Sequence, residues 1–163
     1  MSENQLLINP KTSSEERQVF ENLQRHFEQQ FGQDDFFFVP SSGSSKGEGE
    51  SAKLIALSRD AVANSAERFN RYFQAKSEDS WGLVLPTFHV AGLSVLARAN
   101  LVKARVFSSD WVPQQMQEWF SKNPISFLSL VPTQVHDLIH HKVKPNSSLK
   151  KVFVGGGALN PNL

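Results

Sequence analysis

Apolar residues recur every three or four positions along the first part of the chain. Ser13 and Ser14 precede Glu15 and Glu16, an order that is typical of a helix N-terminus. A spacing of three and four residues places side chains on one face of a helix. The pattern therefore predicts an amphipathic helix that starts at these serines and ends at Gly32. Its apolar positions are Val19, Phe20, Leu23, Phe27 and Phe31.

Two short apolar runs follow, separated by a stretch rich in serine and glycine. Residues 36–39 and 54–57 each have the pattern of a buried strand, and Pro40 ends the first. Ser58 then caps a predicted helix over residues 59–74, which presents apolar side chains at helical spacing. The serine- and glycine-rich stretch is therefore predicted to be a loop that joins two strands.

From Trp81 onward the pattern alternates between strand and helix. Apolar strands separated by helices of about ten residues are typical of a parallel sheet with helices on both faces. Right-handed crossovers then place the strand C-termini on one edge, where open α/β sheets bind ligands. His89, Pro132 and the glycines at 155–157 follow such strand ends, so we expect a ligand site there. The predicted strands are 81–85, 104–107, 125–131 and 151–154, and the predicted helices are 91–101, 113–121 and 133–140.

Length and charge limit the architecture and the partners. A chain of 163 residues fits one domain, and a domain of this size buries about two-thirds of its unfolded surface. Seventeen Lys and Arg against 16 Asp and Glu give a net charge of +1 without basic runs, which argues against a nucleic-acid partner. We expect a single α/β domain: an N-terminal helix over 1–35, a strand-loop-strand unit over 36–58 and an alternating unit over 59–163.

Cysteine content and hydropathy indicate the compartment. The chain has no cysteine, which excludes disulfides, thiolate nucleophiles and cysteine-based zinc sites and is compatible with a reducing compartment. The N-terminus has neither the basic residues nor the apolar core of a signal peptide, and no apolar run reaches about eighteen residues. We therefore expect a soluble, cytoplasmic protein with no membrane partner.

A hydroxyl-rich loop is the first candidate for ligand chemistry. Ser41, Ser42, Gly43, Ser44 and Ser45 lie between the two predicted strands. Glycine allows consecutive backbone N–H groups to turn toward one concavity, and serine hydroxyls add donors for phosphate oxygens. The loop favours a phosphate ligand, while a flexible Gly/Ser linker is an equally open interpretation of the composition alone.

Four segments occur in the order and spacing of a known enzyme family. They are SSGSSKGEGESAKLIALS (41–58), LPTFHVAGLSVLARA (85–99), SLVPTQVHDLI (129–139) and KVFVGGGALNPNL (151–163). Together they resemble the phosphate-binding loop and three further motifs of the adenylate-forming acyl-CoA synthetases. The resemblance implies part of the large N-terminal domain of such a ligase, an α/β fold with a largely parallel sheet and helices on both faces.

The resemblance also implies a reaction and its participants. A carboxylate reacts with ATP to give an acyl-adenylate and pyrophosphate, and CoA then displaces AMP to give a thioester. ATP and Mg²⁺ are the implied cofactors, with the Mg²⁺ ligand mostly outside this chain, and CoA and a small carboxylate are the substrates. His89 and Lys53 are implied in catalysis, and His89 and Arg98 in binding the acyl carboxylate. The implied phosphate-binding residues are Ser41, Ser42, Gly43, Ser44 and Ser45, and the implied adenine-binding residues are Gly155, Gly156, Gly157 and Ala158.

Within the family, the chain is most similar to the o-succinylbenzoate:CoA ligases of menaquinone biosynthesis. Arg98 lies nine residues after His89, where that subfamily has a substrate-binding arginine. Arg98 is about two and a half helical turns further on, so we expect both side chains to face the same cavity, and a planar guanidinium suits a carboxylate. The alternatives are a packed, hydrogen-bonded His89, a surface salt bridge for Arg98, and a simple strand-to-helix turn at 155–157.

The phosphate loop departs from the family pattern. Where the family has a short Gly-x-Pro-Lys, this chain has a longer insert without proline that contains Lys46, Glu48 and Glu50. Lys53 aligns best with the family lysine because a strand follows it directly. The two glutamates lie beside the expected triphosphate, where like charge weakens binding. Weak ATP affinity is therefore expected.

The chain ends at Leu163, whereas family members continue beyond this motif, and Met1 has the appearance of a genuine start. We therefore expect the 163-residue chain alone to be inactive. The alternative function is a non-catalytic remnant that binds a nucleotide or a partner. Helix faces that would meet the further segment should stay apolar, which favours a homo-oligomer. The apolar residues of the flanking helices are Val95, Leu96, Leu101, Val135 and Ile139, of which some should cover this sheet and others should meet the further segment.

Two further patterns are weaker. Residues 47–52 spell the dinucleotide-binding G-x-G-x-x-A, but a strand rather than a helix follows them. His136 and His140 share a helix face, as zinc ligands do. However, Asp137 is shorter than the glutamate of zinc proteases, and no third ligand is evident. A solvated helix face is the simpler interpretation, and no metal site is predicted.

Overall fold

A computed structural model describes residues 4–32, 35–41 and 53–159. The helices and strands predicted above are all present in these ranges, and β1 is an addition. The strands are β1 (Gln5–Leu6), β2 (Phe36–Pro40), β3 (Leu54–Ser58), β4 (Ser80–Leu83), β5 (Arg105–Ser108), β6 (Phe127–Leu130) and β7 (Lys151–Val154). The helices are α1 (Ser14–Phe31), α2 (Arg59–Phe73), α3 (Val90–Leu101), α4 (Met116–Lys122) and α5 (Pro132–His140), with a 3₁₀ turn at Pro113–Gln115.

Helix α1 has the ends that its sequence predicts. The Ser13 hydroxyl accepts a hydrogen bond from the backbone N–H of Glu16 at 3.2 Å, which caps the first turn. Gly32 ends the helix in a backbone conformation with φ of 90°, which favours glycine. The ring of Phe27 lies 5.2 Å from that of Phe36 and 5.3 Å from that of Phe38. Helix α1 therefore packs on the aromatic face of β2.

A small mixed sheet contains the base of the serine-rich loop. Its strand order is β1-β2-β3, with β1 parallel and β3 antiparallel to β2. Beyond the paired strands, the backbone N–H of Ser41 donates to the carbonyl oxygen of Lys53 at 3.0 Å. The predicted loop therefore joins two antiparallel strands, and its residues 42–52 lie outside the described ranges.

The second sheet is fully parallel, as the alternating pattern predicts. Its strand order is β5-β4-β6-β7, and all three strand pairs are parallel. Helices cover both faces, because the two buried clusters lie on opposite sides of the sheet. Helices α2 and α3 cover the cluster of Trp81, Leu83, Val95, Ala99 and Phe127. Helices α4 and α5 cover the cluster of Val84, Met116, Phe120, Ile125, Leu128 and Leu130.

The apolar residues of the flanking helices divide into packed and exposed ones, as the sequence predicts. Val95 is fully buried and Leu96 packs against the same cluster, while Val135 packs against the opposite cluster. Leu101 and Ile139 are 48% and 51% exposed. Most of these residues therefore serve the sheet itself. No helix in the described part of the chain is long and apolar enough to cross a membrane.

Candidate functional site

Three adjoining cavities lie around the start of α3, and Val90 lines all of them. The sheet-edge cavity, of about 250 Å³, lies between α3 and the ends of β6 and β7. The helix cavity, of about 180 Å³, lies between β3, α2 and α3. The hairpin cavity, of about 330 Å³, lies between the β2–β3 hairpin and the start of α3. Of the three, the sheet-edge cavity lies at the C-terminal ends of the parallel strands, the edge where open α/β sheets bind ligands.

Arg98 lines both the sheet-edge and the helix cavity. Its Cζ atom lies 3.7 Å from the centre of the Phe69 ring, in cation–π geometry. Burial lowers the pKa of Arg98, but a guanidinium remains protonated at neutral pH. Within the described ranges, no Asp or Glu forms an ion pair with Arg98. The sheet-edge cavity is therefore bordered by a half-buried cation that no described carboxylate neutralises.

Ser129 adds a polar group to the sheet-edge cavity. It is 8% exposed, and its hydroxyl has no hydrogen-bond partner among the residues that the structure describes. A buried hydroxyl without a partner carries a desolvation cost, which a ligand that donates to it or accepts from it would relieve. The sequence prediction missed Ser129. Its signal was a hydroxyl side chain in the otherwise apolar run of β6.

Gln134 belongs to the same sequence motif as Ser129, the segment 129–139, and forms two hydrogen bonds beside the cavity. Its side-chain oxygen accepts from the backbone N–H of Val131 at 3.0 Å, and its side-chain nitrogen donates to the carbonyl oxygen of Val84 at 3.2 Å. These bonds join the segment that follows β4 to the segment that follows β6. Gln134 therefore holds the floor of the site in place and, being 6% exposed, serves a structural role.

The glycines after β7 form part of the cavity wall. Gly155 and Gly156 line the sheet-edge cavity. Gly156 has a φ of 81°, and a Cβ atom there would lie 3.4 Å from Val131. A side chain at this position would therefore be strained by the backbone conformation, while its contact with Val131 would be an ordinary van der Waals contact. Gly157 and Ala158 follow on the surface and do not line this cavity. A role for these four residues in binding adenine remains a prediction.

His89 lies apart from Arg98, contrary to the expectation that both face one cavity. His89 precedes α3 and lines the hairpin cavity together with Ser41, whereas Arg98 lines the other two. The reason is the helical period: two and a half turns bring a side chain to the opposite side of a helix, not to the same side. The His89 ring packs against Phe88 at 4.7 Å.

The predicted phosphate-binding residues are only partly described. Ser41 and Lys53 face each other at the base of the loop, and Lys53 is exposed. Ser42, Gly43, Ser44 and Ser45 lie outside the described residues, as does the G-x-G-x-x-A pattern. The hairpin cavity lies directly beside this base, because Ser41 lines it. The site residues at the loop therefore stay predictions.

The histidines of α5 lie on an exposed surface. The His136 and His140 rings are stacked 6.3 Å apart, and both residues are exposed. Asp137 accepts a hydrogen bond from the indole N–H of Trp111 at 2.9 Å, so its carboxylate points away from the pair toward the protein. Among the residues that the structure describes, no group of three or more His, Cys, Asp or Glu side chains could hold a metal ion.

Comparison with known proteins decides the family. The sequence profile of the AMP-binding enzyme family matches residues 3–163. The chain belongs to this family. A curated relative, 2-succinylbenzoate–CoA ligase of Lactococcus lactis, is 28% identical over 109 residues, which cover 64% of this chain and 23% of the relative. The enzyme of the same name from Staphylococcus epidermidis is 36% identical over 90 residues, which cover 51% of this chain and 18% of the relative.

Solved structures confirm the fold of an adenylate-forming ligase. O-succinylbenzoate coenzyme A synthetase (MenE) from Bacillus subtilis in complex with AMP aligns with a TM-score of 0.67 and 19% identity, over 76% of this chain and 25% of that one. E. coli MenE with a bound analogue aligns with a TM-score of 0.62 and 26% identity, over 77% and 26%. The unliganded Bacillus subtilis protein has a TM-score of 0.76 and 15% identity, over 98% and 41%. The present chain spans less than a quarter of the length of the two curated relatives named above.

Proposed function

We propose that the chain is the acyl- and nucleotide-binding part of an ATP-dependent, AMP-forming acid:CoA ligase that acts on an aromatic dicarboxylate such as 2-succinylbenzoate. In the proposed reaction a substrate carboxylate oxygen attacks the α-phosphorus of ATP, and pyrophosphate leaves. The CoA thiol then attacks the acyl carbon and releases AMP as the thioester forms. The family match and the names of the relatives support this assignment. ATP, CoA and a small acid are cytoplasmic metabolites, so we place the reaction in the cytoplasm.

The observation that supports the substrate class most directly is Arg98 at the sheet-edge cavity. A cation that is half-buried and has no described carboxylate partner favours an anionic ligand, and its planar fork suits a carboxylate. The rest of the cavity lining is mostly apolar, including Phe69 and Phe153. This combination fits an aromatic acid better than a sugar or an amino acid. Ser129 provides the second polar contact in this proposal.

In this proposal the phosphates of the nucleotide lie on the hairpin side of α3, and its adenine lies on the side of β7. Ser41, the serines that follow it and Lys53 would contact the β- and γ-phosphates, and His89 in the hairpin cavity would lie between these phosphates and the acyl group. The segment from Gly155 to Ala158 would form the adenine side. Mg²⁺ would accompany ATP, and most of its ligands would come from outside this chain, so we expect the 163-residue polypeptide by itself to form no acyl-adenylate.

Titration calorimetry tests the substrate class. We expect 2-succinylbenzoate to bind more tightly than octanoate, which has one carboxylate and no ring. Arg98→Ala should abolish most of this preference, while Arg68→Ala, which changes an exposed arginine on α2, should leave it unchanged. Equal binding of the two acids, or equal effects of the two substitutions, would contradict the proposed substrate.

One observation favours a second function, which is nucleotide or partner binding without turnover. The loop has Glu48 and Glu50 where family members have neutral residues. Negative charge beside a triphosphate repels it and opposes the positive surroundings that stabilise the transition state of its reaction. Pyrophosphate exchange that depends on 2-succinylbenzoate distinguishes the two functions when this chain is joined to the remaining segments of a relative. Binding of ATP without exchange would favour the non-catalytic function.

A further inference from the structure

We propose that Phe69 is a positioning residue whose ring holds the guanidinium of Arg98 at the sheet-edge cavity, ready for a ligand carboxylate. The identity of the ligand rests on the proposed function, whereas the role of Phe69 rests on the contacts within this chain. The Cζ atom of Arg98 lies 3.7 Å from the centre of the Phe69 ring. Stacking occupies the face of a guanidinium and leaves its N–H edge free for a planar anion.

The Phe69 ring is held by three other rings. Its centre lies 4.6 Å from that of Phe73, 4.7 Å from that of Phe153 and 5.8 Å from that of Trp81. These rings belong to α2, β7 and β4, so both the sheet and the helix fix the platform under Arg98. Aromatic side chains have few rotatable bonds, and a ring packed in this way keeps one orientation.

The neighbouring residue, Asn70, holds the backbone of Arg98. The side-chain N–H of Asn70 donates to the carbonyl oxygen of Arg98 at 2.8 Å, across 28 positions of sequence. Asn70 is only 5% exposed. Two consecutive residues of α2 therefore contact the two ends of one residue of α3: Phe69 contacts the guanidinium and Asn70 the carbonyl. These two contacts together fix the position of the Arg98 guanidinium.

The charge itself remains available to a ligand. Cation–π contact attracts a guanidinium but does not neutralise it. The ion pairs found within the described ranges do not include Arg98. Arg98 shares this cavity with the Ser129 hydroxyl, which has no hydrogen-bond partner in the described part of the chain. The site therefore has one fixed cation and one hydroxyl beside an apolar wall. Without the ring, the long arginine side chain would have many rotamers, and binding would have to select one of them.

Three variants of the ring cluster test this role. Phe69→Leu removes the ring and keeps most of the apolar volume, and Phe69→Tyr keeps the ring. Phe73→Leu is the matched control, since Phe73 belongs to the same helix and ring cluster but does not stack on Arg98 in the described structure. Titration calorimetry with 2-succinylbenzoate should show binding about five- to thirtyfold weaker in Phe69→Leu than in Phe73→Leu. Phe69→Tyr should bind within about twofold of the unmodified protein. Equal losses in the two leucine variants would overturn the proposal.

A second measurement is independent of the ligand. In NMR spectra the ring current of Phe69 should shift the side-chain Nε–H resonance of Arg98 away from that of the exposed Arg68. The shift should disappear in Phe69→Leu and remain in Phe73→Leu and Phe69→Tyr. A resonance that does not move in Phe69→Leu overturns the positioning role. If the unmodified protein binds no 2-succinylbenzoate but the shift behaves as expected, the proposed substrate is wrong and the role of Phe69 is supported.

Discussion

Gly92 and Pro86 are in backbone contact across the turn that leads into α3. A Cβ atom on Gly92 would lie 2.3 Å from the carbonyl oxygen of Pro86 and 2.7 Å from that of Leu85. Backbone atoms cannot move aside as a flexible side chain can, so α3 approaches the end of β4 closely only because residue 92 has no side chain. This contact brings Val90 and Arg98 to the edge of the sheet.

Gly92→Ala should therefore destabilise the fold. In an ordinary helix position the change from glycine to alanine stabilises by about 0.5–1 kcal/mol, whereas overpacking costs about 1–3 kcal/mol. We expect the free energy of unfolding, measured in urea, to fall by about 1–3 kcal/mol. The control is Ala63→Gly at an exposed position of α2, which should cost about 1 kcal/mol through helix propensity alone. Stabilisation by Gly92→Ala would contradict the close contact.

Asp79 and Lys150 should make stability depend on acid pH. Burial of Asp79 acts to raise its pKa. The net pKa nevertheless lies below its ordinary 3.8, because Asp79 accepts hydrogen bonds from Lys150, the Lys76 backbone and Ser126 and lies near the Lys150 charge. A lowered folded-state pKa stabilises the protein above the unfolded value, and this contribution is lost as pH falls through the folded value. Between about pH 5 and pH 2, Asp79→Asn should reduce the pH dependence of the unfolding free energy.

A matched control exists on α4. Glu118 also pairs with a lysine, Lys122, and that contact lowers its pKa. Both side chains are largely exposed, and exposed pairs contribute little to stability because water screens them. Glu118→Gln should therefore leave the acid dependence of unfolding nearly unchanged. A larger effect for Glu118→Gln than for Asp79→Asn would show that the Asp79 contact is not what confers acid sensitivity.

Arg98 should affect the acyl substrate and not ATP. In a longer, active form of the protein, Arg98→Ala should raise the KM for an aromatic dicarboxylate about ten- to a hundredfold, because a charge-assisted pair contributes about 1.5–3 kcal/mol. The KM for ATP should change little. Steady-state kinetics with each substrate varied in turn measures both. Equal effects on the two KM values would indicate a structural arginine.

The acidic loop should limit nucleotide affinity. Glu48 and Glu50 lie outside the described residues, so this prediction rests on the sequence. Replacing both with Gln should tighten ATP binding in titration calorimetry, since like charges repel the triphosphate. The gain should shrink at high salt because mobile ions screen exposed charges. Unchanged affinity would mean that the insert points away from the phosphates, and a loss would reverse the interpretation.

The edge beyond β7 should associate with another surface. Val152, Val154, Ile139 and Leu159 are each at least 40% exposed. Within the described ranges, β7 pairs with β6 and with no strand on its other side. Apolar surface of this kind is typical of contact sites. We expect the 163-residue polypeptide to form a homodimer or larger oligomer in sedimentation at micromolar concentration, or to bind the dye ANS. Val152→Lys should weaken both properties, and a compact monomer that binds no dye would contradict the prediction.

The sequence by itself determined the type and order of the elements. Apolar spacing and end signals are short-range properties, and the Ser13 cap, the Gly32 end and the strand of β7 at Lys151–Val154 lie where they predict. The alternation after Trp81 likewise predicted the parallel sheet with helices on both faces, because apolar strands that alternate with helices are typical of such sheets. Four motifs identified the family.

Only the tertiary structure decided which side chains meet. Asp79 and Lys150 are 71 positions apart, Asn70 and Arg98 are 28 apart, and Ser129 shares a cavity with Arg98 through the order of the strands. Such contacts depend on how helices pack on a sheet, which local periodicity does not contain. The separation of His89 from Arg98 shows the difference between what local spacing predicts and what packing decides. His89 precedes α3 and Arg98 lies on it, and the helical period together with the packing of α2 and the hairpin places the two side chains at different cavities.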